Sequence, residues 1–391
     1  MPGSVSTQCV SQPVELFHRP ADLLRAWPAS RPLAALISAG HGRFSILAAP
    51  SRTLCLEPGA DPVAPFRDMQ PVVTPQDGVP FVGGWICSLA YDAGRLLEPA
   101  AAHGNATRDR TWPAITCHRC DGAYLHDAAT DTWRVVGDPT VLPNPDEFAS
   151  PTDTAATLGQ PVTTDPSAFK RSVARAVELI RAGDVFQVNL SHRISTHVQG
   201  NPRTLAGALL DSLQPSHGGY IEDADDTGAL RSAICSLSPE LLLDYQPATR
   251  RLTTRPIKGT RPGSAAHADL LQSEKDAAEL AMIVDLMRND LGRVCAFGSI
   301  RVADPRSIEH HGGRDAGVIH AVATVEGTLR DDLTFADALA ACFPAGSITG
   351  APKIRAMQII DELEPVRRGP YCGSLGYISD CGRACFNVAI R

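Results

Sequence analysis

Between Asp165 and Ile194 the hydrophobic period changes from that of a helix to that of a strand within a few residues. Asp165 can cap a helix, Pro166 suits its first position, and Phe169, Val173, Val177 and Ile180 recur at i, i+4, i+8 and i+11. Gly183 supplies the stop. In the VFQVNLSHRI that follows, Phe186, Val188, Leu190 and Ile194 fall on one face, and Gln187, Asn189, Ser191 and Arg193 on the other. A strand that is apolar on one side and mostly uncharged but polar on the other suits the wall of a solvated cleft. At about 100 to 200 residues per domain, the 391 residues suggest two domains or one large α+β body.

The rest of the chain repeats this mixture. A strand group from Ser232 to Tyr245 is broken at Ser238-Pro239-Glu240, where proline denies a ladder donor. A turn at Pro247 to Arg250 leads into LTTRPIKGT, and a long helix is expected from about His267 to Asn289. Toward the N-terminus, short apolar runs at Pro32 to Ile37 and Phe44 to Ala49 read as strands, and Gly83-Gly84 as a bulge in PFVGGWICSLAYD. Residues 137–164, rich in Pro, Thr, Asp and Ala, read as a linker or long surface connection. They divide an N-terminal region, 1–136, from a larger region, 165–391.

Composition narrows the class. With 391 residues, 43% hydrophobic and 20% charged, the chain can bury a large core. Its 36 basic and 43 acidic residues give a net charge of -7 without any Lys/Arg run, so nucleic acid is not an expected partner. No apolar stretch approaches the ~18 residues that span a bilayer, and the first twenty residues lack a signal-peptide core. Eleven cysteines without a tight framework point to reduced thiols. Cys117 and Cys120 form a CxxC with no second ligand pair at zinc spacing. The expectation is a cytoplasmic protein that does not contact membranes.

Four places hold chemistry-bearing side chains. Lys258 sits in RPIKGT, where proline and glycine fix the backbone around one amine; it is a nucleophile if desolvation or a nearby cation keeps it neutral, and otherwise a surface lysine in a turn. Glu240 is a general acid if buried, or an edge-strand carboxylate in water. Asp276 and Glu279 share a helix face and offer hard oxygen ligands of the kind Mg²⁺ takes, or form a solvated face. SITGAPK, Ser347 to Lys353, is a small-residue loop feeding a helix whose backbone donors can hold an anion. It is not a phosphate-binding P-loop.

Singly these signals are weak. In order they are specific: GDVFQVNLSHRI, SPELLL, RPIKGTR, SEKDAAELAMIVDLMRNDLGRV, VIHAVATVEGTL, FPAGSITGAPKIRAMQIIDELEP and RRGPYCGSLGYIS. The chain resembles the chorismate-utilising enzymes, and among them component I of the aminodeoxychorismate synthases. The resemblance covers Pro80 to Asp92 and most of Asp165 to Arg391. It implies an α+β fold with two packed β-sheets flanked by helices, the N-terminal segment completing the same body.

The resemblance also implies roles. The similar anthranilate synthases carry PIAGT where this chain has PIKGT, so Lys258 is the implied nucleophile on chorismate and Glu240 the acid for the leaving hydroxyl. Thr260, His320, Ser347, Tyr371 and Arg391 fall where the family contacts substrate. Glu279, with Asp276 in its outer shell, is the implied Mg²⁺ site. Gln187 replaces a lysine base of the salicylate and isochorismate relatives, which argues against activation of water. Ammonia is expected from a separate glutamine amidotransferase subunit, since no glutaminase cysteine motif is evident. The product is expected to be 4-amino-4-deoxychorismate, which feeds p-aminobenzoate and folate synthesis. In some relatives the N-terminal region binds tryptophan, and Arg43, Phe44 and Ser45 fall in that region.

The sequence departs from the family in two places. The family pattern continues beyond Arg391 with a strand, a GGGIV-type loop and a helix bearing a second metal-binding glutamate; the chain as written is therefore expected to be weakly active or inactive. Ser307 to Gly317 also differs from the usual run. The competing readings are an anthranilate synthase component I-like enzyme, opposed by Lys258, and an inactive chorismate-fold protein that keeps partner or effector binding.

Overall fold

The computed structural model describes residues 11–391 except 17–18, 39–41, 57–58, 75–77, 103–105, 150–155, 164, 226–228 and 313–316. Two antiparallel sheets form its centre. One has seven strands, running from Ser11–Val14 at one edge through Thr132–Gly137, Gly122–Asp127, Phe44–Ala48, Ala34–Ile37 and His217–Ala224 to Leu230–Ser238 at the other. The second has ten, with Leu241–Gln246, Ala384–Asn387, Ser374–Ser379, Gly84–Leu89 and Ile115–Cys120 side by side at its middle. Strands from either side of residues 137–164 occur in both sheets. Within that segment Leu142 is buried and Phe148 packs against Trp27 and Tyr124.

The sheets pack on each other through Ala34, Ile46, Leu125 and Ile221 of the first and Ile86, Leu375 and Tyr377 of the second. Helices Pro20–Ala26 and Pro202–Leu213 cover the outer face of the seven-stranded sheet. Helices Glu274–Gly292 and Phe335–Cys342 cover that of the ten-stranded sheet. Four layers result, with apolar side chains between each pair. The two packed sheets flanked by helices are the α+β architecture expected from the sequence.

Several local expectations change. The helix forms over Pro166–Arg181 with Asp165 accepting from the Ser167 N–H at 2.9 Å, and Gly183 has φ +86°. Its buried residues are Ala176 and Leu179, however, while Val173, Val177 and Ile180 face out. The alternating segment after it is no continuous strand. Only Gln187–Val188 pairs, with Gly350–Ala351, and Ile194–Ser195 pairs with Val162–Thr163; Phe186 is 78% exposed. The reason is competition for its backbone groups: Asn189 N–H donates to Thr349 O, Ser191 N–H to the Glu364 carboxylate, and Arg368 to Asn189 O. Alternation there reflects local environments and not a ladder.

The expected helix from His267 to Asn289 is two helices, His267–Leu271 and Glu274–Gly292, because Ser273 caps the second by accepting from the Asp276 N–H. The break at Pro239-Glu240 has a larger meaning than an edge. Leu230–Ser238 belongs to the seven-stranded sheet and Leu241–Gln246 to the ten-stranded one, so Glu240 stands where the chain crosses between sheets. Cys117 and Cys120 lie three apart on one strand, and their thiols enter different cores. They cannot chelate one metal.

Candidate active site

The strand Ile257–Pro262 pairs with Val318–Thr328 through a bulge, since three steps from Ile257 to Thr260 match two from Val322 to His320. Lys258 and Gly259 occupy that bulge. Gly259 has φ +88°, and a Cβ there would stand 2.7 Å from Leu270 Cδ1 and 3.1 Å from Asp276 Cβ. Only glycine combines that backbone with the close approach of helix Glu274–Gly292. The backbone so fixed puts Lys258 Nζ 3.3 Å from the Ser347 carbonyl oxygen, to which it donates.

Glu240 faces the same place from the sheet crossing and is 3% exposed. The Ser238 hydroxyl accepts from its N–H at 3.1 Å, and its carbonyl accepts from Val388. Burial pushes its carboxyl up to about 7; Ser347, Lys258, the Ile257 N–H and Arg391 favour the carboxylate without matching that penalty. The Ser347 hydroxyl is itself buried and makes no hydrogen bond of ordinary geometry. Glu240 is thus part-protonated near neutral pH, and a buried hydroxyl beside it is left for another partner.

His320 is opposite Thr260 in the strand pair, with Nδ1 2.9 Å from the Thr260 hydroxyl and Nε2 3.4 Å from Arg391 Nη2. Arginine only donates, so Nε2 accepts and Nδ1 carries the proton. Burial and the Arg391 charge lower the His320 pKa to about 4, so the ring is neutral in the physiological range. Arg391 is anchored through its carbonyl, which accepts from Leu237 N–H at 2.6 Å.

Asp276 lies behind Gly259 and accepts from Arg261 Nη2 at 2.7 Å. Burial works against its ionisation, but Ser273 and Arg261 outweigh it and hold the carboxyl below its ordinary value. Glu279, one turn on and half-buried, has Lys275 at 3.8 Å. Among the described residues no group of three metal-binding side chains occurs. The donor set fits a hard cation held by Glu279 and completed by substrate oxygens and water, with Asp276 tied to Arg261 behind it.

The structure therefore gathers Lys258, Glu240, Thr260, His320, Ser347 and Arg391, with Asp276 and Glu279 on the adjoining helix. Tyr371 stands apart from these contacts. It is 44% exposed and lines a cavity of about 340 Å³ with Phe169, Leu190 and Arg368. Arg43 and Phe44 line another cavity, of about 200 Å³, with Asp244 and Arg383, while Ser45 is buried against Ser38.

Two buried ion pairs that frame the site were not singled out from sequence. Lys353 Nζ donates to Asp290 at 2.6 Å, pinning the start of helix Lys353–Leu363 to the helix that carries Glu279. Arg368 pairs with Glu364 at 2.7 Å and also donates to Ile348 O, next to Ser347. The second had no helical signal despite its i, i+4 spacing, because helix Lys353–Leu363 ends before it and Pro365 stands between the partners. The first, with partners 63 residues apart, had none either.

Residues 31–391 match the family model described as chorismate binding enzyme. This chain belongs to the chorismate-binding enzyme family. Anthranilate synthase component 1 of Thermus thermophilus is 47% identical over 232 residues, 57% of this chain and 47% of that protein. Aminodeoxychorismate synthase component 1 of Klebsiella aerogenes is 34% identical over 407 aligned residues, 93% of this chain and 85% of that protein. The crystal structure of anthranilate synthase component I from Streptococcus pneumoniae superposes with a TM-score of 0.73 at 30% identity, covering 90% of this chain and 83% of that one. The chain spans about half the length of some curated relatives it matches. None of the helices among the described residues is long and apolar enough to cross a membrane.

Proposed function

We propose that this protein is the chorismate-aminating component of an aminodeoxychorismate synthase. The observation that carries the reading is Lys258, held in the bulge beside a buried, part-protonated Glu240. Lys258 Nζ, as the free amine, bonds to C2 of chorismate; the ring double bonds shift and the C4–O bond breaks. Glu240 gives its proton to the departing hydroxyl, which leaves as water. Ammonia then bonds to C4, the double bonds shift back, the C2–N bond breaks to free the lysine, and the surplus proton on the new C4 nitrogen returns to the Glu240 carboxylate. The net change is chorismate plus ammonia to 4-amino-4-deoxychorismate plus water.

The remaining residues bind and orient. Arg391 suits one substrate carboxylate, with neutral His320 and Thr260 fixing its direction. Mg²⁺ held by Glu279 would neutralise the ring carboxylate. Ser347 offers its buried hydroxyl, beside Glu240, to substrate. Gln187, without charge, leaves no base at C2 for water. Tyr371 would complete the site from the neighbouring cavity, and a glutamine amidotransferase subunit would supply the ammonia.

A second reading rests on the Thermus relative, whose name is anthranilate synthase component 1 and whose identity is 47%. One incubation separates the two. Chorismate, Mg²⁺ and ammonium are mixed with the protein and products followed by mass spectrometry. Aminodeoxychorismate is expected, with a covalent adduct on Lys258 and a rate that collapses in Lys258→Ala on the order of 10³-fold or more. Anthranilate and pyruvate as products, or an unchanged rate in Lys258→Ala, would overturn the proposal.

A further inference from the structure

The largest of the cavities described lies away from Lys258 and Glu240. It has a volume of about 560 Å³, within the range of small-molecule sites. Five arginines line it, Arg95, Arg108, Arg110, Arg193 and Arg367, against two carboxylates, Asp92 and Asp109. In a chain of net charge -7 this excess of positive charge is local and built by the fold. It draws on distant parts of the sequence: the 92–96 turn, the 108–114 approach to a strand, Arg193, and the 367–369 turn.

Two of the arginines are already neutralised. Arg193 pairs with Asp109, and Arg95 with Asp361. Arg108, Arg110 and Arg367 have no carboxylate within ion-pair distance among the described residues. Arg108 only donates to the Trp112 carbonyl at 3.3 Å. The Arg367 Nε is buried and makes no hydrogen bond. An anion in the cavity would supply the counter-charge that Arg108, Arg110 and Arg367 lack among the described residues. The lining also includes the apolar side chains of Leu56, Leu96, Trp112 and Pro113.

We infer that this cavity binds a small phosphorylated organic molecule. Three guanidiniums without a paired carboxylate suit the three terminal oxygens of one phosphoryl group, which accept hydrogen bonds bidentately, whereas a single carboxylate offers two. The ligand's carbon skeleton lies against Trp112, Pro113 and Leu96, and a flat ring gains most from the indole. The site is distinct from the chorismate site, and its assignment does not depend on which reaction occurs there. It does touch that site's frame. Arg367 precedes Arg368, which donates to Ile348 O, and the same turn leads to Tyr371.

The test uses the full chain and phenyl phosphate as probe, at fixed ionic strength, by isothermal titration. Saturable one-to-one binding is expected, weakened about tenfold or more in Arg110→Glu and in Arg108→Glu, both exposed positions whose substitution leaves the fold intact. Arg134→Glu, on an outlying strand, should bind as the parent does. Inorganic phosphate should bind more weakly than phenyl phosphate, which reports the apolar lining. Absence of saturable binding, or equal binding by Arg110→Glu, overturns the site. Tighter binding of isophthalate, a ring dicarboxylate of the same charge, overturns the phosphoryl assignment.

Discussion

Replacing Glu240 by glutamine should stabilise the protein at pH 8 while removing its acid. In water a glutamate carboxyl has its ordinary value of 4.5, and burial raises Glu240 to about 7. Between these values the folded state holds a proton that the unfolded state has released. Stability therefore falls as pH rises through that window, because folding takes up a proton there. Each pKa unit corresponds to about 1.4 kcal/mol, so the full window is worth about 3 kcal/mol, and the part between pH 5 and pH 8 roughly 2–3 kcal/mol. Glutamine has nearly the same shape and no ionisation. Urea unfolding of parent and Glu240→Gln at both pH values should show the variant gaining that amount relative to the parent between pH 5 and pH 8, with unchanged m values. Amination should fall by about 10²–10⁴-fold. A stability difference that is the same at both pH values would refute the buried, part-protonated carboxyl, and with it the acid role.

Other consequences can be checked separately. Lys353→Met leaves the buried Asp290 carboxyl without its cation, and should destabilise by about 3–5 kcal/mol in urea melts, much of it recovered in the double variant with Asp290→Leu. Gly259→Ala meets both the φ of +88° and the Leu270 and Asp276 contacts; it should cost about 1–3 kcal/mol and lower amination more than it lowers melting temperature predicts, because Lys258 moves with it. Glu279→Gln should raise the Mg²⁺ concentration needed for half-maximal activity by roughly tenfold or more, and Asp276→Asn by less. The His320 imidazole proton shifts should stay constant from pH 6 to pH 8, as a ring that titrates at about 4 remains neutral throughout.

What the sequence made legible was chemistry at short range. PIKGT carried both the amine and the glycine that makes its bulge, and SPE carried the proline that turns the chain between sheets. The caps at Asp165 and Ser273 are local too, though only the first was read. What it could not disclose depended on distant partners. The stripe Val173, Val177 and Ile180 has helical period but no sheet to cover it, so period alone misidentified the inward face. VFQVNLSHRI alternates, yet Glu364 and Arg368 take its backbone groups from more than 150 residues away. Tyr371 is expected from its motif among the substrate contacts, but opens here onto a neighbouring cavity. The five arginines of the large cavity form no run in the sequence.

The pairing of Gly84–Leu89 with Ser374–Ser379 at the middle of the ten-stranded sheet sets a timetable for synthesis. One strand leaves the ribosome about 290 residues before its neighbour, roughly 15–60 s at ordinary elongation rates. Until then one edge of Gly84–Leu89 has backbone donors and acceptors without their native partners, beside an apolar face meant for the inter-sheet core. Neither half of the chain can close its sheets alone, so folding is dominated by contacts between remote segments and is slow for that reason. Nascent chains of this protein should associate with holding chaperones for most of their synthesis, and split versions should recover structure only when both fragments are made together.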